Sequence, residues 1–118
     1  MEILPIQHQR AMERALNFIS QGKTIVFPTD TVYGLGTNVF SKRGIDRLYE
    51  IKGRTYEKAI AVLVGDLNQL NILTNDFPAS AEKLAGKFWP GALTLIVGKN
   101  PMLPTNISPL TTIGVRMP

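Results

Sequence analysis

The residues best suited to bind a ligand form three separated stretches, and the first of them is residues 28–36, PTDTVYGLG. It follows a short β-rich run and offers the hydroxyls of Thr29 and Thr31, the Asp30 carboxylate and the Tyr33 phenol. Open α/β sheets usually bind ligands at the carboxyl ends of their strands. On composition alone, the favoured alternative is an ordinary turn in which Thr29 and Asp30 bond to nearby backbone groups.

The second stretch carries three cations within seven residues, at Lys52, Arg54 and Lys58. The planar guanidinium of Arg54, placed beyond Gly53, could bind a phosphate through two parallel hydrogen bonds. Lysine is also favoured near a helix C-terminus by about 0.3–1 kcal/mol, so Lys52 has an ordinary structural explanation. The cluster indicates an anion site without specifying one.

The third stretch is the predicted strand Thr112–Met117. Side chains alternate across a strand, so Thr112, Gly114 and Arg116 should share one face. A hydroxyl and a guanidinium would then point the same way, as an anion site requires. An edge strand with a solvated arginine fits the pattern equally well.

The elements around these stretches alternate between strands and helices, a pattern typical of an α/β domain. Apolar spacing and end signals predict helices over 6–20, 42–52 and 79–88, with a short helix beginning near residue 66 and a loop over 100–109. Strands are predicted over 24–27, 59–64, 92–97 and 112–117, the second and third as apolar runs buried on both faces. The pattern ends on a strand and a proline, so we expect residues 1–118 to form one domain that is incomplete on its C-terminal side.

The amino-acid composition excludes several kinds of site and protein class. Absent cysteine excludes disulfides and thiolate metal sites, and one histidine argues against a histidine-built zinc centre. The formal charge of +4 suits anionic partners such as nucleotides or RNA, although ordinary solubility also explains it. No apolar run approaches the ~20 residues that cross a bilayer, and residues 1–5 lack the layout of a signal peptide. We therefore expect a cytoplasmic protein without a membrane partner.

In order, the segments PTDTVYGLG, LYEIKGR, AIAVLV, FWPGALTLIV and TIGVRMP resemble the successive signatures of the YrdC-like family of threonylcarbamoyl-AMP synthases. The resemblance implies an open, twisted, mostly mixed α/β sheet with flanking helices and a basic concave surface. It implies an L-threonylcarbamoyladenylate synthase, which forms threonylcarbamoyl-AMP and pyrophosphate from L-threonine, bicarbonate and ATP. The product would serve threonylcarbamoyladenosine modification of tRNA, together with partner proteins.

The resemblance also assigns roles to residues. Thr31 and Tyr33 would contact the threonine substrate, and Arg116 would pair with its carboxylate. The expected ATP contacts are Lys52, Arg54, Lys58 and Thr112. No catalytic side chain and no protein-bound metal is expected, because phosphoryl chemistry needs positioning and positive charge, and Mg²⁺ would arrive with the nucleotide.

The sequence departs from the family pattern at two places. Leu63 stands where many members carry a histidine, and the chain ends before the family's serine-alanine-asparagine nucleotide motif. We therefore expect weak or no synthase activity from this chain alone. The alternative function is a non-catalytic RNA-binding module of the same fold, which would bind RNA in a salt-sensitive manner without releasing pyrophosphate.

Overall fold

The structure, a computed structural model, describes residues 1–53, 55, 57 and 59–118. Helices and strands alternate along the chain, as the sequence predicts. The elements are α1 (Ala11–Ser20), β1 (Ile25–Phe27), β2 (Gly34–Gly36), α2 (Lys42–Lys52), β3 (Val62–Leu63), α3 (Leu70–Leu73), α4 (Ala79–Phe88), β4 (Leu95–Gly98) and β5 (Thr112–Arg116). Short 3₁₀ turns at Leu67–Gln69 and Thr105–Ile107 precede α3 and β5.

Helix α2 is defined at both ends by the signals that its sequence carries. The Ser41 hydroxyl accepts a hydrogen bond from the Gly44 backbone N–H at 3.0 Å, which satisfies one of the unpaired donors of the first turn. Gly53 ends the helix in the left-handed conformation, with φ of 60°. Left-handed backbone favours glycine because it has no Cβ. The helix stop therefore places Lys52 in the last turn, where it is exposed.

The described strands form two small sheets. Strands β1 and β2 pair antiparallel with Phe27 opposite Gly34, so residues 28–33 are the connection between them. In the other sheet β5 lies in the middle, parallel to β3 and antiparallel to β4. The predicted α/β class with a mixed sheet is therefore confirmed.

Strand β5 has one face in the core and one face open. Ile113 and Val115 are 1% and 0% exposed, while Thr112, Gly114 and Arg116 on the other face are half-buried. The predicted alternation is therefore confirmed. The core on the buried side combines the sheet with residues of α2, α3, α4 and the loop before β5, including Ile45, Tyr49, Leu73, Ala85, Leu103 and Ile107.

The prediction that residues 59–64 and 92–97 are buried on both faces is wrong. Leu63 is 39% exposed and Ile96 is 69% exposed, while their neighbours Val62 and Leu95 are buried. Among the described residues, helices α2, α3 and α4 contribute side chains to the core on one face of this sheet, so its apolar strands follow the alternation of a half-covered sheet. The regular strands are also shorter than predicted, and the first helix begins at Ala11 and not at Ile6.

The segment after α4 crosses beside the end of β5. The Trp89 ring packs against the core and stacks on Phe77 at a centroid distance of 6.3 Å, and its Nε1 donates to the Leu93 carbonyl at 2.8 Å. Two residues further on, the Gly91 N–H donates to the Met117 carbonyl at 2.8 Å. These contacts fix the backbone of residue 91 next to Arg116.

The two faces of the β3–β5–β4 sheet should respond differently to the same substitution. We expect Ile113→Ala to lower the free energy of unfolding by about 3 kcal/mol, because it leaves a cavity in the core. Ile96→Ala, on the neighbouring strand and the open face, should change it by less than about 0.5 kcal/mol. Urea denaturation followed by circular dichroism measures both values, and equal losses would contradict the one-sided core.

Candidate functional site

Arg116, the last residue of β5, joins segments that are far apart in sequence. Its Nε donates to the Gly91 carbonyl at 3.1 Å. Its Nη2 donates to the Thr31 hydroxyl at 3.3 Å and forms an ion pair with the Asp30 carboxylate. We call these three partners, with Thr29 and Arg116 itself, the Arg116 cluster.

The hydroxyls of the β1–β2 connection form a directed chain of hydrogen bonds. Thr29 Oγ1 donates its proton to the Val32 carbonyl and accepts from the Thr31 backbone N–H at 3.2 Å. Since its only proton is used, the 3.3 Å contact between the two hydroxyls makes Thr31 the donor and Thr29 the acceptor. Thr31 Oγ1 in turn accepts from Arg116. The loop therefore holds the Thr31 hydroxyl in one orientation, against the guanidinium.

The ordinary-turn alternative for residues 28–36 is correct in part. Thr29 makes the local turn contacts that the ordinary-turn alternative predicts. The alternative does not describe the Asp30 side chain, because its carboxylate contacts Arg116, 86 residues later in the chain. The conformation of the loop thus serves a contact between distant segments.

The cluster combines opposite charges in a partly shielded place. The side chains of Arg116 and Asp30 are 17% and 34% exposed. Ion pairs screened from water interact more strongly than fully exposed ones, because the effective dielectric constant is lower. Solvent still reaches the Asp30 side chain, so a small polar ligand could reach it as well.

Of the predicted site residues, the structure brings Thr31 and Arg116 into direct contact. Tyr33 follows in the same loop and is 76% exposed. Thr112 lies on the same face of β5 as Arg116, but four residues away, a separation of about 13 Å at the usual rise of a strand. Lys52 lies at the exposed end of α2.

The remaining predicted ATP contacts, Arg54 and Lys58, lie outside the described residues. Among residues 1–53, 55, 57 and 59–118, no group of three or more histidine, aspartate or glutamate side chains could hold a metal ion. Over the same residues, no helix has the length and apolar character that crossing a membrane requires.

Sequence reasoning missed the Gly91 carbonyl as a partner of Arg116. A backbone acceptor leaves no trace in residue type, but the glycine itself is a signal. A Cβ at position 91 would lie 2.6 Å from the Phe88 carbonyl oxygen, so a side chain would displace the backbone. Only glycine therefore allows the backbone of residue 91 to lie this close to the Phe88 carbonyl. This close approach determines the position of the Gly91 carbonyl that accepts from Arg116.

A family model named Sua5/YciO/YrdC and described as "Telomere recombination" matches residues 17–118. The chain belongs to this family. It is 42% identical over 105 residues to the threonylcarbamoyl-AMP synthase of Pyrococcus abyssi, an alignment that covers 88% of this chain and 31% of that protein. It is 39% identical over 110 residues to the threonylcarbamoyl-AMP synthase of Bacillus subtilis, with coverages of 89% and 31%.

The fold is similar to the crystal structure of P. abyssi Sua5 complexed with L-threonine, with a TM-score of 0.87 and 41% identity. That match covers 91% of this chain and 32% of the Sua5 chain. The family predicted from the sequence is therefore confirmed. The chain spans about a third of the length of these two curated relatives.

The contact between Asp30 and Arg116 should contribute measurably to stability. In a double-mutant cycle of Asp30→Ala and Arg116→Ala, we expect a coupling of about 1 kcal/mol in the free energy of unfolding. The matched control is the exposed pair Arg47 and Glu50 on α2, 3.0 Å apart, whose coupling should stay below about 0.5 kcal/mol. A coupling at Asp30 no larger than the control would show that the pair does not join the two sheets.

Proposed function

We propose that the Arg116 cluster is the amino-acid pocket of an L-threonylcarbamoyladenylate synthase. The complete enzyme forms threonylcarbamoyl-AMP and pyrophosphate from L-threonine, bicarbonate and ATP. The observation that carries the proposal is the contact between Thr31 and Arg116, which joins a hydroxyl and a guanidinium that are 85 residues apart in the sequence. The names of the relatives and the threonine-bound Sua5 structure support the choice of substrate.

Threonine presents a carboxylate and a hydroxyl that match this cluster. Arg116 pairs with the carboxylate, because a guanidinium donates parallel hydrogen bonds to two carboxylate oxygens. Thr31 contacts the substrate through its oriented hydroxyl, and Tyr33 lines the pocket beside it. The Gly91 carbonyl holds the guanidinium at Nε while the ligand binds.

ATP lies next to the amino acid. Lys52, Arg54 and Lys58 hold its phosphates, and Thr112 contacts it at the other end of β5. For all four residues the support is the sequence resemblance. Mg²⁺ arrives bound to the nucleotide, since it usually binds through substrate phosphates and a few carboxylates.

The reaction needs positioned groups and positive charge more than a nucleophilic side chain. The threonine ammonium group first loses a proton to solvent, and the resulting amine attacks the carbon of bicarbonate or carbon dioxide to form a carbamate. Water leaves when bicarbonate reacts, and the nitrogen releases a second proton when carbon dioxide reacts. A carbamate oxygen then attacks the α-phosphorus of ATP, and pyrophosphate leaves. Arg116 and Thr31 fix the amino acid, and the lysines and Arg54 offset the charge that develops on the phosphates. Partner proteins in the cytoplasm then transfer the threonylcarbamoyl group to tRNA.

Pyrophosphate release from ATP tests the proposed reaction. We compare the 118-residue chain with a fusion in which the downstream region of the B. subtilis relative follows Pro118. We expect release from the fusion that depends on both threonine and bicarbonate, and little from the chain alone. Arg116→Ala in the fusion should lower kcat/KM for threonine about 10- to 100-fold, because a hydrogen-bonded charge is lost.

The matched control is Arg47→Ala, which removes an exposed arginine from α2 and should leave kcat/KM unchanged. Rates that do not change with Thr31→Ala and Arg116→Ala would contradict the assigned pocket. Salt-sensitive RNA binding with no pyrophosphate release from either protein would favour the RNA-binding module instead.

A further inference from the structure

Asp30 has a position in the Arg116 cluster that the proposed roles leave unexplained. A pocket built to bind a carboxylate gains nothing from a second carboxylate beside its guanidinium, because like charges repel. Yet Asp30 and Thr31 share the same Nη2 of Arg116, and the Asp30 side chain is 34% exposed. A negative charge therefore lies within reach of any small ligand that binds Arg116.

A free α-amino acid at neutral pH carries both charges, a carboxylate and an ammonium group on one carbon. Arg116 and Thr31 offer such a ligand a cation and a hydroxyl, and the hydroxyl proton is already donated to Thr29. An ammonium group brought into a partly shielded pocket without an acceptor loses hydration that nothing replaces. The pocket of an amino-acid enzyme needs an acceptor at this point, and the Asp30 carboxylate, which contacts Arg116, can serve as one.

We propose that Asp30 accepts the α-ammonium group of the substrate, so that Asp30 and Arg116 together recognise the zwitterion. This inference rests on the proposed amino-acid pocket and adds a specificity residue to it. Asp30 selects α-amino acids over carboxylic acids that carry the same chain without the amino group.

The contacts allow an exchange of partners that keeps the charge balanced. In the free protein Asp30 and Arg116 neutralise each other. When a zwitterion binds, its carboxylate pairs with Nη1 and Nη2 of Arg116 and its ammonium group pairs with Asp30, so one ion pair is replaced by two. The hydrogen bond from Nε to Gly91 does not involve Nη2, and it keeps the guanidinium in place during the exchange.

Two ligands that differ only in the amino group test the proposal. We compare L-threonine with 3-hydroxybutanoate, which keeps the carboxylate, the hydroxyl and the methyl group, by calorimetric titration of the full chain. The unchanged protein should bind threonine at least about tenfold more tightly, as expected for one charge-assisted hydrogen bond. In Asp30→Asn the affinity for threonine should fall about tenfold, while that for 3-hydroxybutanoate should hold or rise.

Two further variants separate this role from general effects. Asp30→Glu keeps the carboxylate and should retain most of the preference for threonine. Glu13→Gln removes the same charge from an exposed position on α1 and should leave both affinities unchanged. Circular dichroism and thermal melting verify that each variant is folded.

The other outcomes overturn the inference in different ways. Equal weakening of both ligands by Asp30→Asn would mean that Asp30 only aims Arg116, and tighter binding of both would mean that it only competes with the ligand. If the unchanged chain binds neither ligand, the proposed amino-acid pocket is wrong. If it binds threonine and Asp30→Asn keeps the preference, the pocket stands and only the role of Asp30 is wrong.

Discussion

The candidate site depends on one side chain, the guanidinium of Arg116. It lies where two parts of the chain meet that share no sheet among the described strands: the β1–β2 hairpin and the β3–β5–β4 sheet. Gly91 holds its Nε, and Asp30 and Thr31 hold its Nη2. Hydrogen bonds to a charged group are stronger than those between neutral groups, so these contacts hold the loop against the end of β5.

The core determines where that guanidinium lies. Ile113 and Val115 are buried in the middle strand, and this fixes which face of β5 carries Arg116. A shift of one residue in register would move the apolar residues to the open face and Arg116 into the core. Packing on one side of the sheet thus determines which residues lie on the other side, and Thr112 lies on the same open face as Arg116.

The sequence was sufficient for the elements whose signals are local. Ser41 and Gly53 mark the ends of α2, and the alternation in 112–116 places Arg116 correctly. The sequence was insufficient where burial depends on residues far away in the chain. The apolar runs around Leu63 and Ile96 were predicted to be buried on both faces, because periodicity does not show how many faces of a sheet are covered. The pairing of Asp30 with Arg116 spans 86 residues, and the Gly91 carbonyl has no side chain to reveal it. Local composition predicts neither contact, although the order of the motifs is enough to identify the family.

We propose that an amino acid binds where Asp30, Thr31 and Arg116 meet. The most direct measurement is a crystal structure of this chain grown or soaked with L-threonine. We predict the threonine carboxylate on the Arg116 guanidinium, with the amino nitrogen within hydrogen-bond distance of Asp30 and the Nε contact to Gly91 intact. Threonine bound elsewhere, with the ion pair between Asp30 and Arg116 undisturbed, would contradict the account.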